Sequence, residues 1–211
     1  MTAYLPELPN PPATAPITRQ TDDTGHPAPG GTASHPITIR AALPSDMADV
    51  TRIYAPYVLS TTISFETEVP SVETMMARHH AIVAAGTPYL VAVLDHRVVG
   101  YAYAGPYKAR AAYRFTVEHS VYLDASVTGR GLGRRLLEAL IAACRDAGIK
   151  EMIATVAGDD NAPSIGVHTR CGFVPVGRLK HVGFKYDRWI DVTLMQLSLD
   201  DAPHASEDAL P

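Results

Sequence analysis

The stretch Val121-Tyr-Leu-Asp-Ala-Ser-Val-Thr-Gly-Arg-Gly-Leu-Gly-Arg-Arg-Leu-Leu-Glu-Ala-Leu140 decides how the rest of the chain is read. It opens as a strand, passes through glycines at 129, 131 and 133, and becomes an apolar-periodic helix. The first N–H groups of a helix have no partner within it, and the helix dipole favours negative charge there. Glycines remove the Cβ atoms that would keep an anion from the backbone. The stretch therefore reads as a phosphate-binding turn. A Walker A loop needs Lys and Ser or Thr after its last glycine, and here Arg134 and Arg135 follow Gly133. A dinucleotide fingerprint needs glycine at 136, where Leu136 stands. What remains is a turn that cradles a pyrophosphate through backbone N–H groups, with Arg130, Arg134 and Arg135 around it. First turns normally favour acids by about 0.3–1 kcal/mol each. Three arginines there point to an external polyanion.

Outward from this turn, the periodicities give an α/β chain. Ile37 to Leu43 alternates as a strand. Pro44-Ser-Asp starts a helix with Ser45 or Asp46 as its cap, and Met47, Val50, Ile53, Tyr54 and Tyr57 recur at helical spacing. Thr61 to Glu66 is extended. Ser71 caps a second helix that runs to about Gly86. Tyr89–Leu94 and Val98–Tyr103 form a hairpin around Asp95-His96. Phe115–Leu123 is a strand. Leu132–Ala147 is a helix with its stripe at Leu132, Leu136, Leu137, Leu140, Ile141, Ala143 and Cys144, closed by Gly148. Lys150–Val156 is a strand, Asn161–Cys171 a short helix ended by Gly172, and Phe173–Phe184 and Ile190–Leu197 are the last strands. The order β-α-α-β-β-β-α-β-α-β-β predicts a mixed sheet.

Composition bounds the rest. The chain has 211 residues and 46% hydrophobic residues, enough for one domain with a core. Eight of the 17 prolines fall in residues 1–36, which read as a disordered tail, and 199–211 read as a second one. The net charge of −4 argues against a general nucleic-acid binder. No apolar run approaches the length of a membrane span, and the N-terminus lacks the pattern of a secretory signal. Cys144 and Cys171 read as thiols in a reducing cytoplasm, and no Cys/His spacing calls for a metal.

Glu118 lies mid-strand. Alternation turns Phe115, Val117, His119, Val121 and Leu123 to one face, and Thr116, Glu118, Ser120 and Tyr122 to the other. A carboxylate inside an apolar sheet is costly without partners or a task. It is a candidate general base, and a structural, hydrogen-bonded glutamate is the alternative. Lys108 and Arg110, with Tyr113, occupy a loop between strands, where cations are commonly just solvated. Asn161 is placed to cap its helix.

Seven segments together resemble the GNAT acyltransferase superfamily, in its phosphinothricin and methionine-sulfoximine N-acetyltransferase branch. They are Ser64-Phe-Glu66, Tyr107 to Tyr113, Thr116 to Tyr122, Gly129-Arg-Gly-Leu-Gly133, Asn161 to Ile165, His168 to Phe173, and Gly183 to Val192. The resemblance covers about 37–198. It implies the GNAT fold, a mostly antiparallel central sheet flanked by helices, with acetyl-CoA as co-substrate and no metal. It places the pyrophosphate on Gly129, Arg130, Gly131, Leu132, Gly133 and Arg134, and the pantetheine arm beside Val121, Tyr122 and Leu123, with a contact from Asn161. It implies a base at Glu118 and an acid at His168, where many relatives carry tyrosine. Glu66 could instead be the base. Phe65, Glu66, Lys108, Arg110 and Tyr113 would hold the amino-acid-like substrate, and the cations suit its anionic group. Where the family pattern carries Arg or Gln, this chain has Thr128, which is expected to weaken cofactor binding. Trp189 reads as packing or dimer contact, and a homodimer is expected. The competing readings are a non-catalytic acyl-CoA sensor and a peptide N-acetyltransferase.

Overall fold

A seven-stranded sheet carries the molecule, in the order β1-β2-β3-β4-β5-β7-β6. The computed structural model describes residues 36–158 and 161–200. In chain order the elements are β1 (Thr38–Ala41), α1 (Met47–Ser60), α2 (Val72–Ala84), β2 (Tyr89–Leu94), β3 (Arg97–Pro106), β4 (Thr116–Leu123), α3 (Leu132–Asp146), β5 (Glu151–Ala157), α4 (Ala162–Arg170), β6 (Val174–Lys185) and β7 (Arg188–Ser198). Every neighbouring pair is antiparallel except β4 and β5. The expected order and mixed sheet are both present. The tails expected at 1–36 and 199–211 lie almost wholly outside the described residues. At their inner edge, Leu199 is buried in the core and its N–H donates to the carbonyl of Lys150.

Each local signal has its physical counterpart. Ser71 accepts the N–H of Thr74 and so caps α2. Asp95 and His96 take φ of 47° and 64°, the left-handed pair that a tight hairpin turn requires. Gly148 ends α3 at φ 76°. Ser45 and Asp46 differ from expectation: neither side chain caps α1. Asp46 instead accepts the N–H of Leu43 at 2.7 Å and two N–H groups of Arg40 at 2.7 and 2.9 Å. A charged partner makes the stronger hydrogen bond, so the carboxylate turns back toward β1.

The sheet is covered on both faces. On one, the stripe of α3, from Leu132 through Leu136, Leu137 and Leu140 to Cys144, packs on Val117, Val121 and Leu123 of β4 and on Met152 and Val156 of β5. Burial pushes the Cys144 thiol up to about 12, so it is an inert core group. On the other face, Val50, Ile53, Tyr54 and Tyr57 of α1 pack with α2 on Tyr89, Tyr101 and Tyr122. Period-two alternation along β4 thus sends Val117, Val121 and Leu123 toward α3, and Tyr122 toward α1.

Two polar ties cross these layers. The buried Tyr57 hydroxyl donates to the carbonyl of Leu123 at 2.8 Å and accepts its N–H at 3.2 Å, fixing the end of β4 to α1. On the α3 face, His119 and His168 are both fully buried, with Nε2 atoms 3.1 Å apart. His168 Nδ1–H donates to the carbonyl of Ser164 at 2.6 Å, which leaves its Nε2 to accept from His119. The pair ties α4 to β4 as two neutral rings beside Phe173.

Two outcomes are expected. Tyr57→Phe strands both backbone groups of Leu123 and lowers the unfolding free energy by about 1–3 kcal/mol, read from urea melts. The histidine pair makes stability depend on pH. Burial holds His168 down at about 4 and His119 well below the usual 6.5. Between those values the unfolded chain binds more protons than the folded one, so stability rises with pH. The contribution is complete above pH 6.5 and is lost as pH falls toward 4, on the order of 3 kcal/mol for His168. Urea midpoints measured across this window should show the slope, and His168→Gln should make it shallower.

Candidate active site

Parallel pairing of β4 with β5 lasts for three residue pairs, Thr116 with Glu151, Val117 with Met152 and Glu118 with Ile153. β4 then continues to Leu123 beside β3 alone, and β5 continues to Ala157 beside β7 alone. The sheet forks at Glu118. Asp124 donates its N–H to Val99, and the Thr116 carbonyl accepts from Tyr107, so the even-numbered residues of β4 bond toward β3. Alternation turns the backbone of His119, Val121 and Leu123 the other way, into the fork. Tyr57 occupies the backbone of Leu123. Val121 is left facing the opening.

The glycine turn follows directly. Gly129 and Gly131 have φ of 73° and 75°, and a Cβ at either would meet nothing within 4 Å. Conformation rather than crowding demands glycine there. Gly131 ends the turn in the left-handed region, and α3 starts at Leu132, so its first N–H groups face outward over the turn. Leu132 and Gly133 are buried, while Arg130, Arg134 and Arg135 are exposed. Arg134 donates to Glu138 at 2.7 Å, and Arg135 to the carbonyl of Ile37 at 3.2 Å. Thr128 donates its hydroxyl to Ala125 at 3.0 Å, so it stiffens the turn and does not reach past it.

At the open end of β5, Asn161 precedes α4. Its side chain leaves the helix N–H groups alone, and its Nδ2 donates to Ala157 at 3.3 Å. Its Oδ1 and the Ser164 hydroxyl are buried and without a hydrogen-bond partner among the described residues. Buried polar atoms seldom stay unpaired, and these suit a ligand that brings amide N–H and carbonyl groups. An exposed glycine cradle, an open strand edge and orphaned buried acceptors together fit a long ligand with an anionic end and amide bonds, such as coenzyme A.

On the α1 face lies a cavity of about 310 Å³, walled by Glu118, Ser120 and Tyr122 of β4, by Tyr103 and Gly105 of β3, and by Tyr54 and Glu66. Two of the predicted site carboxylates thus share one chamber. Glu66 is engaged: Tyr54 donates to its Oε1 at 3.1 Å, and Arg78 grips both oxygens at 2.7 and 3.2 Å. Tyr54 also bonds Ser64 at 2.6 Å, and burial pushes the pKa of its hydroxyl well up, so it remains a neutral hydrogen-bonding group. The segment before Glu66 is held from afar. The buried Lys185 ammonium donates to the carbonyls of Val58 at 2.7 Å and Ser64 at 2.8 Å. Burial lowers the pKa of this lysine, and nearby Glu66 works against that shift.

Other predicted residues are placed apart from the chamber. Phe65 packs against Gly183, where any Cβ would strike its ring, and against the cluster of Ala157, Ile190 and Val192. Lys108 lies over the rings of Tyr107 and Tyr113 at 5.0 and 5.7 Å, in an exposed loop with Arg110, beyond the Gly105–Pro106 end of the chamber. His168, expected as an acid, is instead in the core with both ring nitrogens bonded, off the chamber lining. Tyr54, Arg78, Tyr103, Ser120 and Lys185 were not among the sequence candidates. In the sequence Tyr54 reads only as an apolar stripe position, although its hydroxyl is the available signal. Lys185 stands inside the Gly183–Val192 segment. Nothing in its spacing marked Arg78.

Among the described residues no group of three or more His, Cys, Asp or Glu side chains could hold a metal ion, and no helix is long and apolar enough to cross a membrane.

Comparison with known proteins agrees with this geometry. A family model described as acetyltransferase (GNAT) domain matches residues 39–194. A phosphinothricin N-acetyltransferase of Alcaligenes faecalis is 45% identical over 174 residues, covering 82% of this chain and 86% of that one. An L-methionine sulfoximine/L-methionine sulfone acetyltransferase of Salmonella typhimurium is 39% identical, covering 82% and 99%. The crystal structure of a GNAT superfamily phosphinothricin acetyltransferase from Sinorhizobium meliloti, in complex with acetyl-CoA, superposes with a TM-score of 0.76 at 38% identity, covering 83% of this chain and 96% of that one. The chain is therefore a member of the GNAT acetyltransferase family, an acetyl-CoA-dependent N-acetyltransferase.

Proposed function

We propose that the chain acetylates the amino group of a small amino-acid analogue, with phosphinothricin and methionine sulfoximine as its first candidates, and that Glu118 is the general base. The observation that carries this reading is the position of Glu118. It closes the last β4–β5 pair, so it stands at the apex of the fork, and its side chain lines the chamber on the α1 face. Acyl donor and amine can therefore meet across β4.

The backbone of Gly129 to Gly133 and the start of α3 hold the pyrophosphate, with Arg130 adding positive charge. Val121, and Asn161 at the end of β5, pair with the pantetheine amides. When bound, acetyl-CoA supplies an acetyl group activated as a thioester. The ammonium of the substrate enters a chamber whose two acids attract it. Glu118 takes one proton, directly or through water; the amine so formed would attack the thioester carbonyl, the C–S bond would break, and the second amine proton would leave with the coenzyme A thiolate as its thiol. Glu118 is preferred to Glu66 because it stands at the apex of the fork, where acyl donor and amine meet. The Val121 N–H is preorganised to donate to the thioester oxygen as charge develops there. Buried His168 is left out of the proton path. Lys108 and Arg110, in the exposed loop beyond the Gly105–Pro106 end of the chamber, give the approach a positive charge that draws in an anionic substrate, with Tyr113 beneath Lys108.

The same reading makes the protein a cytoplasmic homodimer. Both cysteines are free thiols, which suits a reducing compartment. The edge strand β6 exposes Val174, Val176, Leu179, Val182 and Phe184, with Trp189 beside them on β7. A long apolar edge invites pairing, and a second copy is the proposed cover. Gel filtration should return twice the mass of the 211-residue chain.

With phosphinothricin, methionine sulfoximine and acetyl-CoA, thiol release should be seen. Glu118→Gln should lower kcat/KM by about 10²–10⁴-fold, the usual worth of a general base. An unchanged value would remove Glu118 from that role, and no release with any amino-acid analogue would remove the substrate class. Gly131→Val, strained at φ 75°, should raise the KM for acetyl-CoA while leaving that for the amine nearly unchanged.

A further inference from the structure

Between the end of β4 and the glycine turn lies a single helical turn, Ala125–Val127, and it is tied down from two sides. The Asp124 carboxylate uses its two oxygens differently. Oδ1 accepts the N–H of Ser126 at 3.0 Å and the Ser126 hydroxyl at 2.7 Å, inside the turn. Oδ2 accepts Nη1 of Arg52 at 2.5 Å, across 72 residues. Arg52 belongs to α1, and its guanidinium is itself aimed. Nε donates to Asp49 of the same helix at 3.0 Å, and Nη2 donates to the carbonyl of Val98 in β3 at 2.9 Å. The next β3 residue, Val99, accepts the N–H of Asp124 at 2.8 Å. One planar fork thus joins α1, β3 and the turn, and fixed donors hold direction as well as distance. On the inner side Val127 is buried in the α3 core, and Thr128 closes the turn on Ala125. The cradle that follows is built on glycines in left-handed conformations, and no side chain caps α3 at Gly131. Its shape therefore depends on what precedes it.

We propose that Arg52 is a positioning residue for acetyl-CoA. Through Asp124 it holds the Ala125–Val127 turn, and with it the N–H groups of Gly129 to Gly133, in the conformation that receives the pyrophosphate. The inference rests on the reading of that glycine turn as the pyrophosphate cradle. A backbone that must be ordered on binding costs affinity, and a backbone ordered beforehand does not. The Arg52 and Asp124 side chains are 35% and 20% exposed, and partly exposed pairs contribute little to folding. The effect of this pair is on the freedom of the turn. The same helix lines the amine chamber with Tyr54 and secures Leu123 with Tyr57, so α1 holds three points along the path from donor to acceptor. The sign of one substitution separates position from charge. Asp124 is an acid five residues before the cradle begins. If its charge alone mattered, removing it would tighten the binding of a polyanion. If it positions the turn, removing it loosens that binding.

The test is calorimetric binding of coenzyme A to the full chain, joined to amide exchange of the ligand-free chain. Arg52→Met should weaken the Kd by about tenfold, the worth of one charged hydrogen bond. Asp124→Asn should weaken it by a similar factor, and the double variant should be no weaker than either single one. Arg52→Lys, which keeps a cationic donor for Asp124, should stay within about threefold of wild type. Without ligand, Arg52→Met should speed exchange at Ser126 and Val127 by about tenfold or more. An unchanged Kd or unchanged exchange in Arg52→Met overturns the proposal. So do tighter or unchanged binding in Asp124→Asn and losses that add in the double variant. If Arg52→Met does not fold, Asp124→Asn and Arg52→Lys decide the matter. Gly131→Val separates this proposal from the reading beneath it. Weakened binding in Gly131→Val with none in Arg52→Met leaves the cradle standing and overturns only the role of Arg52. An unchanged Kd in Gly131→Val overturns the cradle, and this proposal with it.

Discussion

Everything at the site depends on β4 and β5 being hydrogen-bonded up to Glu118 and Ile153 and no further. A strand edge inside a sheet leaves backbone groups that must find other partners. At the end of β4 the hydroxyl of Tyr57 supplies them for Leu123. At Val121 the opening supplies none among the described residues, and that gap is where an amide-bearing ligand can add itself as a strand. Two anchored helices keep the fork open. The apolar stripe of α3 binds β4 and β5 together on one face, and the His119–His168 contact fixes α4 to β4. His119 follows the last paired residue of β4, so the tie acts at the point of divergence.

The acceptor side is built differently, from long-range polar contacts. Lys185 reaches the carbonyls of Val58 and Ser64 from the far end of the sheet, and Gly183 admits the ring of Phe65 against its backbone. These contacts set the position of Glu66, which in turn holds Arg78. The tip of the β6–β7 hairpin thus shapes a chamber whose walls belong to α1, β3 and β4. Changes at Lys185 or Gly183 would be felt as altered amine recognition, although neither residue lines that chamber.

How much of this could be read from the residues follows from the range of each interaction. Local signals were legible: the Ser71 cap, the Asp95-His96 turn, the stripe of α3 and the glycine turn all act within a few residues. Alternation along β4 correctly set Glu118, Ser120 and Tyr122 on one face. Long-range consequences were not. The fork leaves no period in β4 or β5, because both strands continue regularly past it. His168 stands on a helix whose buried face cannot be read from so short a segment, and its partner His119 lies 49 residues away. Lys108 and Arg110 are cations in the expected loop, yet the cation beside the chamber is Arg78, which pairs with Glu66 across 12 residues.

The central claim is that the fork beside Val121 and the turn at Gly129 to Gly133 form one continuous binding slot. Amide hydrogen exchange of the full chain, with and without acetyl-CoA, tests it most directly. Acetyl-CoA should slow exchange at Val121 and at the first amides of α3 together, with little change on the α2 face. Protection confined to the α2 face, or at the glycine turn without Val121, would contradict the account.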